Sequence, residues 1–392
     1  MADHAVQRPR RAPWNDRAVR AIAYQVLLIG AVAALAAYLV SNTLANLAER
    51  QIRTGFAFLD QDAGFFIGEG VISFDAADSY GRAFVVGLLN TLQVALIGIA
   101  LATVLGAAIG IARLSKNWLV ARLASIYVEG VRNVPLLLQL FLWYAIVTGA
   151  LPESREAFNP LPGVYLSKSG LKFPVPVHDQ AYTYALVAFA LALGAVVLLR
   201  RRARRRREAT GTQLPVLWPA VALIVGLPIL AWTAGGAPTA MDVPEWQRFR
   251  FIGGREVTPE FLALLFGLTT YTAGFIAEIV RAGILAIERG QTEAALAVGL
   301  RRGLVLRLVI LPQALRVIVP PLTSQYLNLT KNSSLAVAIG YPDLVSIANT
   351  TLNQTGQAIE CIAIIMAVYL TVSLTISMSM NWYNKRIALV ER

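Results

Sequence analysis

The chain has 392 residues, of which 56% are hydrophobic and 15% charged, and its mean hydropathy is +0.58. These values lie outside the range of ordinary soluble domains and point to a membrane protein. The net charge of +12 does not mark a nucleic-acid binder, because the arginines stand in short runs beside apolar segments and no basic stripe carries interleaved aromatics.

A hydrocarbon core ~30 Å thick is crossed by ~20 apolar residues in a helix. Eight stretches meet that length, at about 21–44, 84–112, 124–150, 182–199, 217–234, 259–285, 305–333 and 358–381. The fold class read from them is an all-α membrane protein of about eight transmembrane helices. The first stretch is too long for a cleaved signal, and no suitable small-residue cleavage site follows it. Arg8, Arg10, Arg11, Arg17 and Arg20 precede it and predict a cytoplasmic N-terminus. The segment 45–83 carries Glu49, Asp60, Asp62, Glu69, Asp75 and Asp78 against few arginines, so it faces outward. "RLSKNWLVAR" (113–122) is basic and inward.

The third stretch holds Glu129 and Arg132 at i, i+3, and "RNVPLLLQ" (132–139) puts Pro135 inside it. Between the fourth and fifth, "RRRARRRR" (200–207) is a topology anchor on the inner side, or a site for anionic lipid head groups. The sixth repeats the i, i+3 pattern with Glu278 and Arg281. Both pairs lie near the inner ends of their spans. They read as neutralising ion pairs, or more sharply as an inner gate.

"GQTEAALAVGLRRG" (290–303) follows on the inner side. Thr292 or Gly290 caps a short helix there, and Glu293 suits its positive N-terminus. Ala294, Ala295 and Ala297 form helix with almost no side chain, and Gly299 permits a sharp exit. Such a helix lies along the membrane surface and offers a bare face to a partner.

The seventh stretch contains Pro312, Pro320 and Pro321, each of which removes a backbone donor and predicts a broken helix along a cavity. Ser324, Asn328 and Lys331 fall at i, i+4 and i+7 on one face, with Gln325 beside them and Ser333 just beyond. An ionisable group at membrane depth usually faces a cavity or a partner. A zwitterionic amino acid needs a cation for its carboxylate, which Lys331 supplies, and acceptors for its ammonium, which the Gln325 and Asn328 amides supply. The eighth stretch ends in "NKRIALVER", inward again, so both termini share the cytoplasmic side.

Cys361 is the single cysteine, and His4 and His178 are isolated, so neither a disulfide nor a metal site is expected. No G-x-x-x-x-G-K-[ST] occurs, which predicts that the chain does not hydrolyse ATP.

Glu293-Ala294-Ala295, then Gly299, then Val309-Ile310-Leu311-Pro312 resembles the "EAA" signature of importer-type ABC transporter permeases. "GLLNTLQVALIGIALATVLGAAIGIARLS" (87–115), "YVEGVRNVPLLLQ" (127–139) and "LPQALRVIVPPLTSQYLNLTKNSSLA" (311–336) are similar to the polar amino-acid uptake subfamily. The long N-terminal segment and interrupted middle resemble the larger, Q-type membrane subunit of general L-amino-acid importers. The resemblance covers nearly the whole chain.

It implies a type I importer core of five helices at 84–150 and 259–385. Around that core stand an N-terminal part, 1–83, and a two-helix insertion, 151–258. Residues 291–303 would be the coupling helix that docks on a cytoplasmic ATPase dimer, with Glu293, Ala294, Ala295, Gly299, Leu300 and Arg301 at the contact. ATP and Mg would bind in that ATPase, with no cofactor in this chain. A second, homologous permease subunit, a periplasmic amino-acid-binding protein, L-amino acids and membrane lipid complete the implied partners, in a bacterial inner membrane. Asn332-Ser333-Ser334 stands where the family often has Asp-Thr-Ser, and Val309 replaces the usual isoleucine. The first change leaves the substrate's charge open. A secondary amino-acid transporter driven by an ion gradient explains the prolines and Lys331 equally, but not the surface helix.

Overall fold

A computed structural model describes residues 17–49, 54–177, 179–212 and 214–387. Arg8, Arg10, Arg11, His4, His178 and the last five residues of the C-terminal tail lie outside the described residues. Helix α1 is Arg17–Glu49, and its described side chains are exposed throughout. Then come α2 (Tyr80–Ala112), α3 (Trp118–Asn133) and α4 (Leu136–Ala145).

The middle of the chain carries β1 (Phe158–Leu161), β2 (Val164–Ser167), β3 (Gly170–Phe173), β4 (Val175–Pro176) and α5 (Gln180–Thr210). After α6 (Leu217–Val221), a π-helical turn leads into α7 (Leu227–Ala234). Strands β5 (Met241–Asp242), β6 (Glu245–Gln247), β7 (Arg250–Ile252) and β8 (Arg255–Val257) follow. The last part is α8 (Pro259–Leu285), α9 (Arg289–Ala297), α10 (Arg302–Val305), α11 (Leu311–Asn332), α12 (Leu344–Thr355) and α13 (Ala358–Ile387). Among the described residues seven helical segments are long and apolar enough to span a membrane, and the bent pair α3 and α4 makes an eighth.

Two compact units are formed. The first draws on residues up to Leu89 and on Leu344–Leu374. Its segment 54–79, expected as an outward loop, is ordered. Ala63 N–H donates to the Asp78 carbonyl at 2.8 Å, and Gly64 N–H to that of Ala76 at 2.9 Å. Phe58, Tyr80 and Phe84 pack with Leu344, Ala348 and Cys361. Tyr80 Oη donates to Gln354 Oε1 at 2.8 Å, and Gly55 N–H to Glu360 Oε1 at 2.7 Å. Helix α12, amphipathic and absent from the expected spans, supplies Leu344 and Ala348 to that core.

The second unit runs from Asn90 to Asp343 and from Thr375 onward. Helix α8 is the most buried of the long helices. It starts where expected because Thr258 Oγ1 accepts from Phe261 N–H and Pro259 occupies the first turn. Its Leu264, Leu268, Ile276 and Val280 pack with Val94 and Ala102 of α2, Leu140 of α4, and Ile318 and Leu322 of α11. Gly106 and Gly110 of α2 make the α8 contact close. A Cβ at Gly106 would lie 2.7 Å from Ile276, and one at Gly110 2.6 Å from the Ala277 carbonyl oxygen. Small residues four apart let membrane helices approach this way.

The third span begins earlier than expected, at Trp118, because Asn117 caps α3 by accepting from Leu119 and Val120. It is not one helix: α3 and the Leu136–Ala150 segment meet at 107° around Pro135. The buried Gln139 mends the break, its Nε2 donating to the carbonyls of Val131 at 2.8 Å and Val134 at 2.9 Å. Carbonyls freed inside a membrane need such partners.

Pro320 and Pro321 behave differently from the broken helix they predict: α11 runs through both. They lie on its exposed side, and small backbone adjustments in membrane helices re-satisfy freed carbonyls. The irregular turns stand at the ends instead, a π-helical turn at Leu306–Ile310 and a 3₁₀ turn at Ser333–Ile339. Pro312 falls in the first turn after the former, where its missing N–H is harmless.

The segments 151–181 and 235–257, expected to face outward, add short antiparallel strands to this mostly helical chain. One sheet has the order β1-β2-β3-β8, and β4 pairs with β5 and β6 with β7. Helices α5 and α7 pack mainly against each other, with Ala181, Ala188 and Ala192 buried along α5.

A polar helix face and a surface helix as the candidate functional site

Helix α11 has two contrasting sides. Ala314, Ile318, Leu322 and Leu329 are buried in the core. On the other side Val317, Pro320, Pro321, Ser324, Asn328 and Lys331 are exposed. At 100° per residue, Ser324, Asn328 and Lys331 fall within about 60° of one another. Gln325 flanks them, half-buried. Lys331 has no ionic partner among the described residues. Ser333 does not join this face. Its side chain is fully buried and donates to the Thr330 carbonyl at 2.7 Å. One turn deeper, Tyr326 and Thr103 of α2 share a hydroxyl hydrogen bond of 3.0 Å and fix the helix's rotation.

Of the two i, i+3 pairs, Glu278 and Arg281 form one, at 2.7 Å. Glu129 and Arg132 do not. Glu129 is exposed with no ionic partner among the described residues, while Arg132 turns toward Glu278 at 4.0 Å and stacks over Phe275. Arg113, immediately after α2, also binds Glu278 and donates to Ser125 Oγ. One carboxylate thus gathers three guanidinium groups from α8, α3 and the end of α2. By sequence Arg113 is a topology signal and Gln139 part of a motif, and neither position shows its partners. A partner 165 positions away leaves no local spacing to detect.

Helix α9 begins at Arg289, earlier than the capping expected from Gly290 or Thr292, so both residues lie inside it. Its end is a Schellman turn: Leu300 N–H donates to the Ala295 carbonyl at 3.2 Å, and Gly299 N–H to that of Leu296 at 2.9 Å. Gly299 takes φ 83°, a conformation a Cβ disfavours. Ala295 is buried, whereas Glu293, Ala294, Leu296, Ala297, Val298 and Arg301 are exposed and Leu300 is half-buried. A short helix with exposed Leu296 and Val298 offers an apolar contact surface to a partner. From Arg301 the chain re-enters α10, then the π turn, then α11. Gln313 Nε2 donates to the Val309 carbonyl at 3.0 Å and reaches Gln291 Oε1 at 3.4 Å, tying α9 to the foot of α11.

A set of helices long and apolar enough to span a membrane, one with an exposed polar face joined to a short, largely exposed helix, defines a multi-pass membrane protein. Residues 210–389 match the family described as binding-protein-dependent transport system inner membrane component. The chain is 48% identical over 382 residues to the general L-amino acid transport system permease protein AapQ of Rhizobium johnstonii, covering 97% of this chain and 96% of the relative. It is 52% identical over 376 residues to the putative amino-acid ABC transporter permease protein YhdX of Escherichia coli K12, covering 95% of each. It is 44% identical over 409 residues to the glutamate/glutamine/aspartate/asparagine transport system permease protein BztB of Rhodobacter capsulatus, covering 96% of each. This chain belongs to that family of transport-system permeases, and it is a transport subunit rather than an enzyme.

Proposed function

We propose that this permease subunit forms half of the translocation path of an ATP-driven L-amino-acid importer. The observation that carries the reading is the continuity from α9 through α10 and the π turn into α11, which ends in the Lys331 face. Glu293, Ala294, Ala295, Gly299, Leu300 and Arg301 form the seat of a cytoplasmic ATPase dimer that holds ATP and Mg. Both termini lie in the cytoplasm of a bacterial inner membrane, as the arginine distribution supports. A homologous second permease closes the path against the exposed side of α11, which suits a surface left uncovered in the single chain. A periplasmic binding protein delivers the amino acid to the outward loops. Lys331 meets its carboxylate, and Ser324, Gln325 and Asn328 meet its polar groups. Glu278 and its three arginines tie the C-terminal parts of α2, α3 and α8 together and form the inner gate. The core is 84–150 and 259–385, with 151–258 an insertion.

Replacing Lys331 with Met in the assembled, reconstituted importer tests this. Uptake of an amino acid mixture falls at least tenfold, while ATP hydrolysis by the complex persists. Unchanged uptake removes Lys331 from the path. Accumulation that follows a proton or sodium gradient without ATP overturns the reading altogether.

A further inference from the structure

Helices α5 and α7 touch closely at one end, where a Cβ on Gly235 would lie 2.5 Å from that of Ala181. At the other end the pair opens into a cavity of about 530 Å³ between the arginine run and the start of the α6–α7 segment. Seven arginines occupy 200–207, but only Arg200, Arg204 and Arg207 line that cavity. They stand at i, i+4 and i+7, so a 100° step puts them within about 60° of each other, with Arg201, Arg202, Arg205 and Arg206 at least ~100° away from Arg200. The facing wall is apolar, with Leu217, Ala220 and Ile224 on one helical stripe. Glu208 pairs with Arg204 at 2.8 Å, which leaves about two unbalanced positive charges on the face.

We infer that this cavity is a binding site for one anionic phospholipid of the inner leaflet. The phosphodiester lies against the guanidinium groups, which match it with forked N–H donors. The acyl chains follow the apolar wall. A free phosphate would satisfy the arginines and leave that wall wet, so the two-sided lining favours a lipid. A topology anchor needs only charge and no cavity. The choice of leaflet rests on the proposed topology; the site itself stands on cavity and charge and does not depend on which solute is transported.

The test uses the full chain in its assembled complex, in nanodiscs of phosphatidylcholine with a minority of phosphatidylglycerol. Association of spin-labelled phosphatidylglycerol relative to labelled phosphatidylcholine is the readout. Arginines near an anionic surface are worth roughly fivefold each. The triple variant R200Q/R204Q/R207Q is therefore expected to lower relative association by about ten- to a hundredfold, the lower figure allowing for Glu208. The charge-matched control R201Q/R202Q/R206Q changes it by less than about twofold. Ala220→Trp, which projects an indole into the cavity and keeps every arginine, displaces the labelled lipid as well. Equal losses from the two triple variants would overturn the site in favour of a diffuse basic surface. Displacement of the lipid by millimolar inorganic phosphate would reassign it to a soluble anion, and retained lipid in Ala220→Trp would refute the cavity.

Discussion

Adding one methyl group at Gly110 tests the packing that holds the bundle together. The new Cβ of Gly110→Ala would lie 2.6 Å from the Ala277 carbonyl oxygen and 2.9 Å from Val280 Cβ. Ordinary contact begins near 3.4 Å, so α2 and α8 must part locally by about 0.8 Å. A gap of that size forfeits a quarter to a half of the dispersion energy along the seam, and overpacking of this kind costs about 1–3 kcal/mol. Arg113 follows three residues later, so the shift also draws its guanidinium away from Glu278. Gly194→Ala supplies the control, because a Cβ there meets nothing within 4 Å. Relief of glycine's helix penalty should make it neutral or stabilising by up to about 1 kcal/mol. Thermal melting of the purified complex followed by tryptophan fluorescence should show Gly110→Ala lower by a few °C and Gly194→Ala equal or higher. If the two variants move in the same direction by the same amount, close approach of α2 and α8 is not what that glycine provides.

Gly299→Ala forces a left-handed residue at φ 83°, at roughly 1–2 kcal/mol, and should lower amino acid transported per ATP hydrolysed in proteoliposomes while Gly299→Asn retains more. Glu278→Gln leaves three guanidinium groups around a neutral amide. Initial uptake should drop at least tenfold, and adding Arg113→Gln should cost less than the two single losses combined, as expected for groups in one network. Gln139→Leu orphans two carbonyls at the elbow, costing about 1–3 kcal/mol at the lower end because Val134 is exposed. Faster deuterium exchange at the Leu138 and Gln139 amides is the measure.

Features that depend on neighbours in sequence were legible in the residues. Apolar run length placed the spans, and the bounds of α8 match because its cap, Thr258-Pro259, is local. Gly299 announced the end of α9, and Pro135 the elbow. The helical period also held the position of Ser333: nine steps of 100° from Ser324 lead to the opposite side, where it is buried. The double proline misled because its effect depends on packing around α11. The convergence of Arg113 and Arg132 on Glu278, the role of Gln139 and the ordering of 54–79 arise from contacts between distant segments. No periodicity encodes them.

The pairing of β3 with β8 sets Phe173 opposite Arg255. Everything between those two residues therefore leaves and re-enters through a doorway about 5 Å wide. Polypeptide threaded in this manner is an annex: a change of its length leaves the two ends of the doorway where they are. A two-residue turn joining Phe173 to Arg255 would close that doorway, at the cost of the Tyr165–Phe251 ring contact.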